Sequence, residues 1–315
     1  MTNFKSISNY KFQIIYLLIS FFVYLALTTP VSAQGYSLGI YPPILEVMIK
    51  PNKTITQVYK ITNNGSDILL KSSIVPFKPA DELGNVSLQE NSKLDHASWF
   101  SFLNANISLG DEFIIKAGQT QEIVLMIKVP ENTPDQDVYA TLLFESQSLP
   151  TLGESQTQNA IRMGSNLLVT VSESGNPNKI PEVQKFSPTK PWYDSFEEPQ
   201  IILKLKNNGL SLFQPSGQIK IDGLNYHQTL LLAPQNVLAA STREIACIQD
   251  EKIVPCQLSN KFLVGKYHLT LTIKTDEGGK VWTTTSSFIS FPFKMAAALL
   301  TTVAIVFMIK LRLKS

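Results

Sequence analysis

Residues 121–129 read QEIVLMIKV and residues 138–145 read VYATLLFE. In the first stretch Ile123, Leu125, Ile127 and Val129 fall on one side of an extended chain, with Glu122 and Lys128 on the other. In the second, Val138, Ala140, Leu142 and Phe144 share a side. Successive side chains of a strand point to opposite faces of its sheet, so this period of two predicts strands with one buried face. The pattern recurs at 45–49, 55–62, 68–75, 113–115 and 167–171, with turn-forming breaks at Pro51-Asn52, Asn63-Asn64-Gly65 and Lys116-Ala117-Gly118. Little helical periodicity interrupts it.

Working outward toward the C-terminus, residues 175–191 (GNPNKIPEVQKFSPTKP) hold Pro177, Pro181, Pro188 and Pro191 and predict a Pro-rich linker. Alternation restarts at 200–206, and Tyr267, Leu269, Leu271 and Ile273 line one face of a later segment. Asp276-Glu277-Gly278-Gly279 then turns the chain into 280–288, a hairpin by composition and spacing. About seven strands in each block, with no crossover helices, predict an all-β protein of two immunoglobulin-like β-sandwiches, at 34–174 and 192–291. A single large barrel is the weaker alternative.

The two ends of the chain carry different signals. Lys5 and Lys11 introduce an apolar run at 12–27, followed by Thr28-Thr29-Pro30-Val31-Ser32-Ala33. Small residues at Val31 and Ala33 suit a signal peptidase, which predicts a signal peptide over 1–33 cleaved between Ala33 and Gln34; an uncleaved anchor is the alternative. At the other end, residues 295–309 (MAAALLTTVAIVFMI) carry no charge. As a helix they rise only about 22 Å, short of the ~30 Å hydrocarbon core of a bilayer. Phe291-Pro292-Phe293 and the stems of Lys294 and Lys310 extend the span by snorkelling. A transmembrane helix is therefore expected at 292–310 with a cytoplasmic tail at 311–315, a buried core helix being the alternative. Lys310, Arg312 and Lys314 would stay inside by the positive-inside rule, leaving the bulk of the chain extracytoplasmic at the cell membrane.

The 27 bases and 25 acids of the chain divide unevenly. Six bases and no acid lie in residues 1–33 and 294–315, so the intervening body holds 21 bases against 25 acids, a net −4. This excludes the basic footprint of a nucleic-acid binder. A 44% hydrophobic, 17% charged composition also excludes a disordered chain. Cys247 and Cys256 are the only cysteines, and an oxidising exterior permits their disulfide. A metal or redox role for them is disfavoured, since there is no CxxC and no nearby histidine.

Catalytic patterns are weak. Gly35-Tyr36-Ser37-Leu38-Gly39 matches the G-x-S-x-G elbow, which needs a strand before it and a helix after it. Here the predicted mature N-terminus lies just upstream and Tyr41-Pro42-Pro43 follows. His96, His227 and His268 are not at ligand spacing, and the acid pairs Asp81/Glu82, Asp111/Glu112 and Glu197/Glu198 form no calcium loop. They read as solvated loops. No metal, cofactor or enzymatic activity is expected. Trp99, among Phe100 and Phe102, reads as a core residue, with carbohydrate stacking as the alternative, and Trp192-Tyr193 reads as a plug between the domains, with an exposed aromatic platform as the alternative. Tyr139 fits a tyrosine corner, its hydroxyl bonding back to the preceding loop. Sequons start at Asn52, Asn64, Asn85 and Asn106 and would place those residues on surface loops if the host glycosylates.

One resemblance adds to these readings. The stretches IYPPILEVMIKPNKTITQVYKITNNGS, FKPADELGNVSL, ASWFSF and IIKAGQTQEIVLMIKVPENTPDQDVYATLLFES follow one another across much of residues 36–171. That order is similar to the N-terminal immunoglobulin-like domain of the bacterial surface proteins known as WxL-interacting proteins, which are associated with peptidoglycan binding. Pro51-Asn52-Lys53 departs from the family's Pro-Gly turn, and the second block resembles surface immunoglobulin-like domains only generically. The resemblance implies a cell-surface protein whose sandwiches engage a cell-wall polymer or a partner surface protein. The alternative expectation is a two-domain immunoglobulin-like chaperone or assembly factor for exported proteins.

Overall fold

Alternation in sequence becomes alternation in burial. In the strand Thr120–Lys128, Ile123, Leu125 and Ile127 are fully buried while Thr120, Glu122 and Lys128 face water. The computed structural model describes residues 37–147, 161–259, 262–274 and 281–314. The predicted signal peptide, the Ala33–Gln34 cleavage site and the 276–279 turn lie outside the described residues.

The first sandwich contains β1 (Leu38–Tyr41), β2 (Ile44–Ile49), β3 (Thr54–Asn63), β4 (Ile68–Pro79), β5 (Val86–Leu88), β6 (Phe100–Phe102), β7 (Glu112–Ile115), β8 (Thr120–Lys128), β9 (Gln136–Gln147) and β10 (Arg162–Val171). One sheet is ordered β1-β3-β8-β6; the other is ordered β2-β10-β9-β4-β5, with β7 also on β4. The chain crosses between sheets at Pro42-Pro43, two residues with no amide to donate to either ladder. β2 then pairs in parallel with β10 and forms the edge of its sheet. Asn52, in the turn after β2, has φ of 60°. Asparagine is one of the few residues besides glycine that adopts this left-handed conformation readily, which is why it stands where a Pro-Gly turn was expected.

The second sandwich contains β11 (Pro181–Pro188), β12 (Trp192–Asp194), β13 (Ile201–Asn207), β14 (Ser216–Asp222), β15 (His227–Leu232), β16 (Thr242–Glu244), β17 (Cys247–Gln249), β18 (Lys252–Val254), β19 (Gly265–Lys274) and β20 (Trp282–Phe291). Its sheets are ordered β11-β13-β16 and β12-β20-β19-β14-β15-β17-β18. A single helix, α1 (Phe293–Lys314), follows.

Three expectations change. The Pro-rich stretch is not all linker: residues 181–188 are the edge strand β11, bulged between Val183 and Lys185, and only 172–180 connect the sandwiches. Prolines at both ends of an edge strand cost few ladder bonds, so their number did not forbid pairing. Each sandwich has ten described strands rather than seven, because β5, β6, β12, β16, β17 and β18 are three residues long and too short to show a period. The helix runs through residues 311–314, expected as a tail, with no break at Lys310.

The first core gathers Tyr59, Ile61, Leu70, Leu142, Phe144 and Leu167, all fully buried. Trp99 joins it at 5% exposure from a short 3-10 turn, stacked on His96 at 4.3 Å. The second core contains Tyr267 stacked on Phe288 at 5.0 Å, beside buried Leu203, Ile219 and Leu271. Cys247 and Cys256 are joined and buried, closing the β17–β18 hairpin. Its two turn residues, Asp250 and Glu251, have φ of 49° and 60°, a conformation that a glutamate adopts at a cost of roughly 1–2 kcal/mol. The disulfide holds the hairpin against that cost. Replacing both cysteines by serine is expected to lower stability by about 2–3 kcal/mol in urea unfolding, from the entropy of closing a loop of this size.

Candidate functional site

The two sandwiches meet through the outer face of the six-stranded sheet of the first and the loops at 208–215 and 233–241 of the second. Strand β9 explains why that face is available. Val138, Ala140, Leu142 and Phe144 point into the first core, yet Thr141 and Leu143, on its other side, are also buried. On this outer side Phe77 of β4, Tyr139 of β9 and Leu168 of β10 cluster with Leu212 and Leu238 of the second sandwich. Phe77 and Tyr139 stack at 5.8 Å.

Polar contacts then fix the orientation. The Tyr139 hydroxyl donates to Asp137 Oδ2 and accepts the Ala239 N–H at 2.9 Å. The same Asp137 oxygen accepts the Leu212 N–H at 2.6 Å. One phenol and one carboxylate therefore secure two backbone amides from the other domain. Burial, and next the charge of Asp137, push the Tyr139 ionisation well above its ordinary range, so the phenol stays neutral and keeps its proton to donate.

At the far side of this patch the turn at 81–85 reaches across. Asp81 Oδ1 accepts the N–H groups of Leu83 and Asn85 at 2.9 and 3.1 Å, and Oδ2 accepts the Asn85 amide at 2.6 Å. These bonds to the charged form, the Asn85 amide foremost, hold the carboxyl below its usual range. Glu82 ion-pairs with Lys204, and its carbonyl accepts the Glu244 N–H at 2.7 Å, so the turn adds itself to the edge of β16. Gly84, at φ +97°, lies flat against the Arg243 guanidinium; a Cβ there would come within 2.3 Å of Nη2. Arg243 Nη1 donates to the Asn236 carbonyl at 2.7 Å. From β2, Glu46 accepts the side-chain amide of Asn236 at 2.7 Å.

Between these contacts lies a cleft of about 340 Å³. Ile44, Phe77 and Leu168 wall one side, and Pro234, Leu238 and Ile253 the other. Ile253 is 61% exposed in the middle of β18, the second strand of the disulfide-closed hairpin, and Ile44 is 47% exposed on the edge strand β2. Arg243 sits at the rim, its Nε without a hydrogen-bond partner and its acidity increased by burial, against the opposing pull of Asp81. The arrangement is a cleft with apolar residues on both walls, interspersed with polar ones such as Asn166, Gln235 and Thr242, beside an unextended sheet edge and with Arg243 and Asp81 also in its lining. Such a site can hold an extended apolar segment. Among the described residues no three of His, Cys, Asp and Glu gather as a metal site.

The expected site residues distribute as follows. Tyr139 does not make a tyrosine corner; its hydroxyl reaches Asp137 and the second sandwich instead of the preceding loop. Trp192 is not a plug, being 62% exposed, while its neighbour Tyr193 is buried in the second core. The parallel pairing of β12 with β20 sends these adjacent side chains to opposite faces. His227 pairs with Asp222 at 3.1 Å, and His268 is exposed. Ser37 precedes strand β1 and has no helix after it. Of the anchor bases, Lys294 bonds to Glu197 at 3.3 Å, while Lys310 and Arg312 are exposed on the last turns of α1, which reaches Lys314. Asp81, Glu82 and Glu197 are not merely solvated. The signal that was available for the first two is the Asp-x-x-Gly-Asn spacing at 81–85, which makes a side-chain-capped turn.

No family model and no curated protein matches this chain. Three solved structures resemble this chain at low identity. A chain from a chaperone–tip adhesin complex of CFA/I fimbriae biogenesis shares 12% identity at a TM-score of 0.39, covering 78% of this chain and 97% of that one. The Escherichia coli chaperone DraB shares 13% at 0.37, covering 81% and 97%. A chain from the Salmonella enterica complex of the SafA pilin with the SafB chaperone shares 12% at 0.36, covering 82% and 98%.

Tyr139→Phe removes the hydroxyl that serves Asp137 and Ala239. It is expected to lower stability by about 1–3 kcal/mol in denaturant unfolding and to speed proteolytic cleavage within 172–180. The wild-type contribution is fully present below the ordinary tyrosine pKa of about 10 and is lost as pH rises beyond it, a fall that the phenylalanine variant lacks.

Proposed function

We propose that this protein is a membrane-tethered, extracytoplasmic, non-enzymatic binding protein whose inter-domain cleft takes an extended apolar segment of an exported or surface protein. The observation that carries this reading is the cleft itself, with apolar residues on both walls and the edge strand β2 beside it. Main-chain bonds along an open edge give affinity and alternate side-chain pockets give selectivity, the usual mode of strand addition. The tether is α1, long and apolar enough to cross a membrane and buried nowhere against the sandwiches. Lys310, Arg312 and Lys314 at its end orient the sandwiches outward, and the Cys247–Cys256 disulfide suits an oxidising exterior. A role in assembling exported proteins is the same geometry used transiently on a client.

A second reading, engagement of a cell-wall polymer, draws support from Trp192, an exposed indole outside the cleft of the kind that sugar rings stack on. The resemblance of the first sandwich to WxL-interacting proteins points the same way. The cleft favours protein over glycan, because its one aromatic wall residue, Phe77, is only 4% exposed and offers no ring face.

The readings separate by photo-crosslinking in intact cells. A photoreactive side chain at Ile253 is expected to capture an exported protein, whereas one at Val58, 41% exposed on the opposite sheet, is not. Equal capture from both positions, or none from Ile253, overturns the cleft reading. Capture of wall glycan from Trp192 alone supports the second.

A further inference from the structure

α1 departs from one end of the second sandwich. Only Pro292 separates β20 from the helix. The buried carboxylate of Asp194 accepts the Lys294 N–H at 3.0 Å with Oδ2 and the Phe196 N–H at 3.3 Å with Oδ1. An acidic side chain at a helix N-terminus satisfies amides that have no partner within the helix and complements its dipole. Here the carboxylate belongs to the sandwich, so the direction of α1 is set by the domain and not by a flexible stalk.

Three loops share this end. The Leu263 N–H bonds to the Ser195 carbonyl at 2.9 Å, and the Asn225 side chain donates to the Phe262 carbonyl at 2.7 Å. Phe196 and Phe262 stand with ring centroids 5.1 Å apart. Phe196 is 54% exposed, Leu224 82%, Phe262 44% and Phe293 46%. Large side chains so exposed, drawn from separate loops and gathered where an apolar helix leaves, need a cover other than water. Glu197, the acid that contacts the first turn of the helix, is shared between Lys190 at 3.2 Å and Lys294 at 3.3 Å. The exposed Glu198 is the other acid of this turn.

We infer that this end of the second sandwich is seated in the headgroup region of the lipid bilayer, with Phe196, Leu224, Phe262 and Phe293 as its contact surface. The inference rests on the membrane-tether reading above. Two physical arguments select lipid as the occupant. The uncharged stretch 295–309 is about 22 Å long, short of a ~30 Å hydrocarbon core, so an inserted helix draws its own flanks into the interface. Aromatic residues and snorkelling lysines favour that depth. With no linker before α1, the flank that is drawn in is the sandwich itself. Strand β14 runs from Ser216, next to the cleft loops, to Asp222 at this end, so seven residues hold the cleft roughly 20 Å off the membrane.

Spin labels on the full chain in phosphatidylcholine–phosphatidylglycerol vesicles test this. Cysteines are placed at Phe196, Leu224, Val303 and, at the opposite end of the sandwich, Ser216; Cys247 and Cys256 are joined and take no label. Accessibility to molecular oxygen against a water-soluble nickel chelate reads depth. The expected result is a Val303 label in hydrocarbon, labels at Phe196 and Leu224 severalfold less accessible to nickel than that at Ser216, and the latter fully aqueous. Val303 in hydrocarbon with Phe196 and Leu224 as aqueous as Ser216 overturns the seating while the tether stands. An aqueous Val303 overturns the tether and the seating with it.

Discussion

A neutral phenol and a carboxylate on one strand hold the two sandwiches in register. Tyr139 and Asp137 take the Ala239 and Leu212 amides, which have no strand partner there, and the Phe77, Leu168, Leu212 and Leu238 cluster dries the contact. Weaken that contact and the width of the cleft is held less firmly, because its walls belong to different domains joined by residues 172–180. Hydrogen bonds in such a place matter more for what their loss would leave unpaired than for their net strength. The turn at 81–85, with Glu82 on Lys204 and Gly84 against Arg243, fixes the same relation from the other side.

A second carboxylate plays a parallel part lower in the molecule. Asp194 is completely buried and joins the Phe196 turn to the Lys294 amide in the first turn of α1. A buried carboxylate without partners would be costly, and this one is satisfied by backbone amides at both oxygens. The two acids thus divide the work of orientation. Asp137 sets one sandwich against the other, and Asp194 sets the second sandwich against the helix.

The interior faces were legible residue by residue. Ile123, Leu125 and Ile127, and again Tyr267, Leu269 and Leu271, lie where a period of two puts them. Periodicity failed where its assumptions did. Strands of three residues carry no measurable period, and β11 hid behind its prolines because edge strands tolerate them. The assumption of one buried face failed at β9, whose outer side is covered by the second domain, and that is why Tyr139 was read as a corner within its own sandwich. Trp192 was misplaced for a related reason: its position after the Pro-rich stretch suggested a plug between the domains, whereas the strand's alternation gave the inward position to Tyr193.

Sequence by itself determined the longer alternating strands, the two cores, the cysteine pair available for a disulfide, and the apolar helix with its basic end, because each depends on local order or on a pairing with no rival. Tertiary structure alone decided the cleft, the partners of Asp137, Arg243 and Asp194, and the surfaces left exposed beside the helix. Several of these join residues far apart in the chain, such as Ala239 with Tyr139 and Lys294 with Asp194, each 100 positions apart. No period or spacing records which loop of one sandwich meets which strand of the other; only the packed arrangement brings their unpaired amides and carboxylates together.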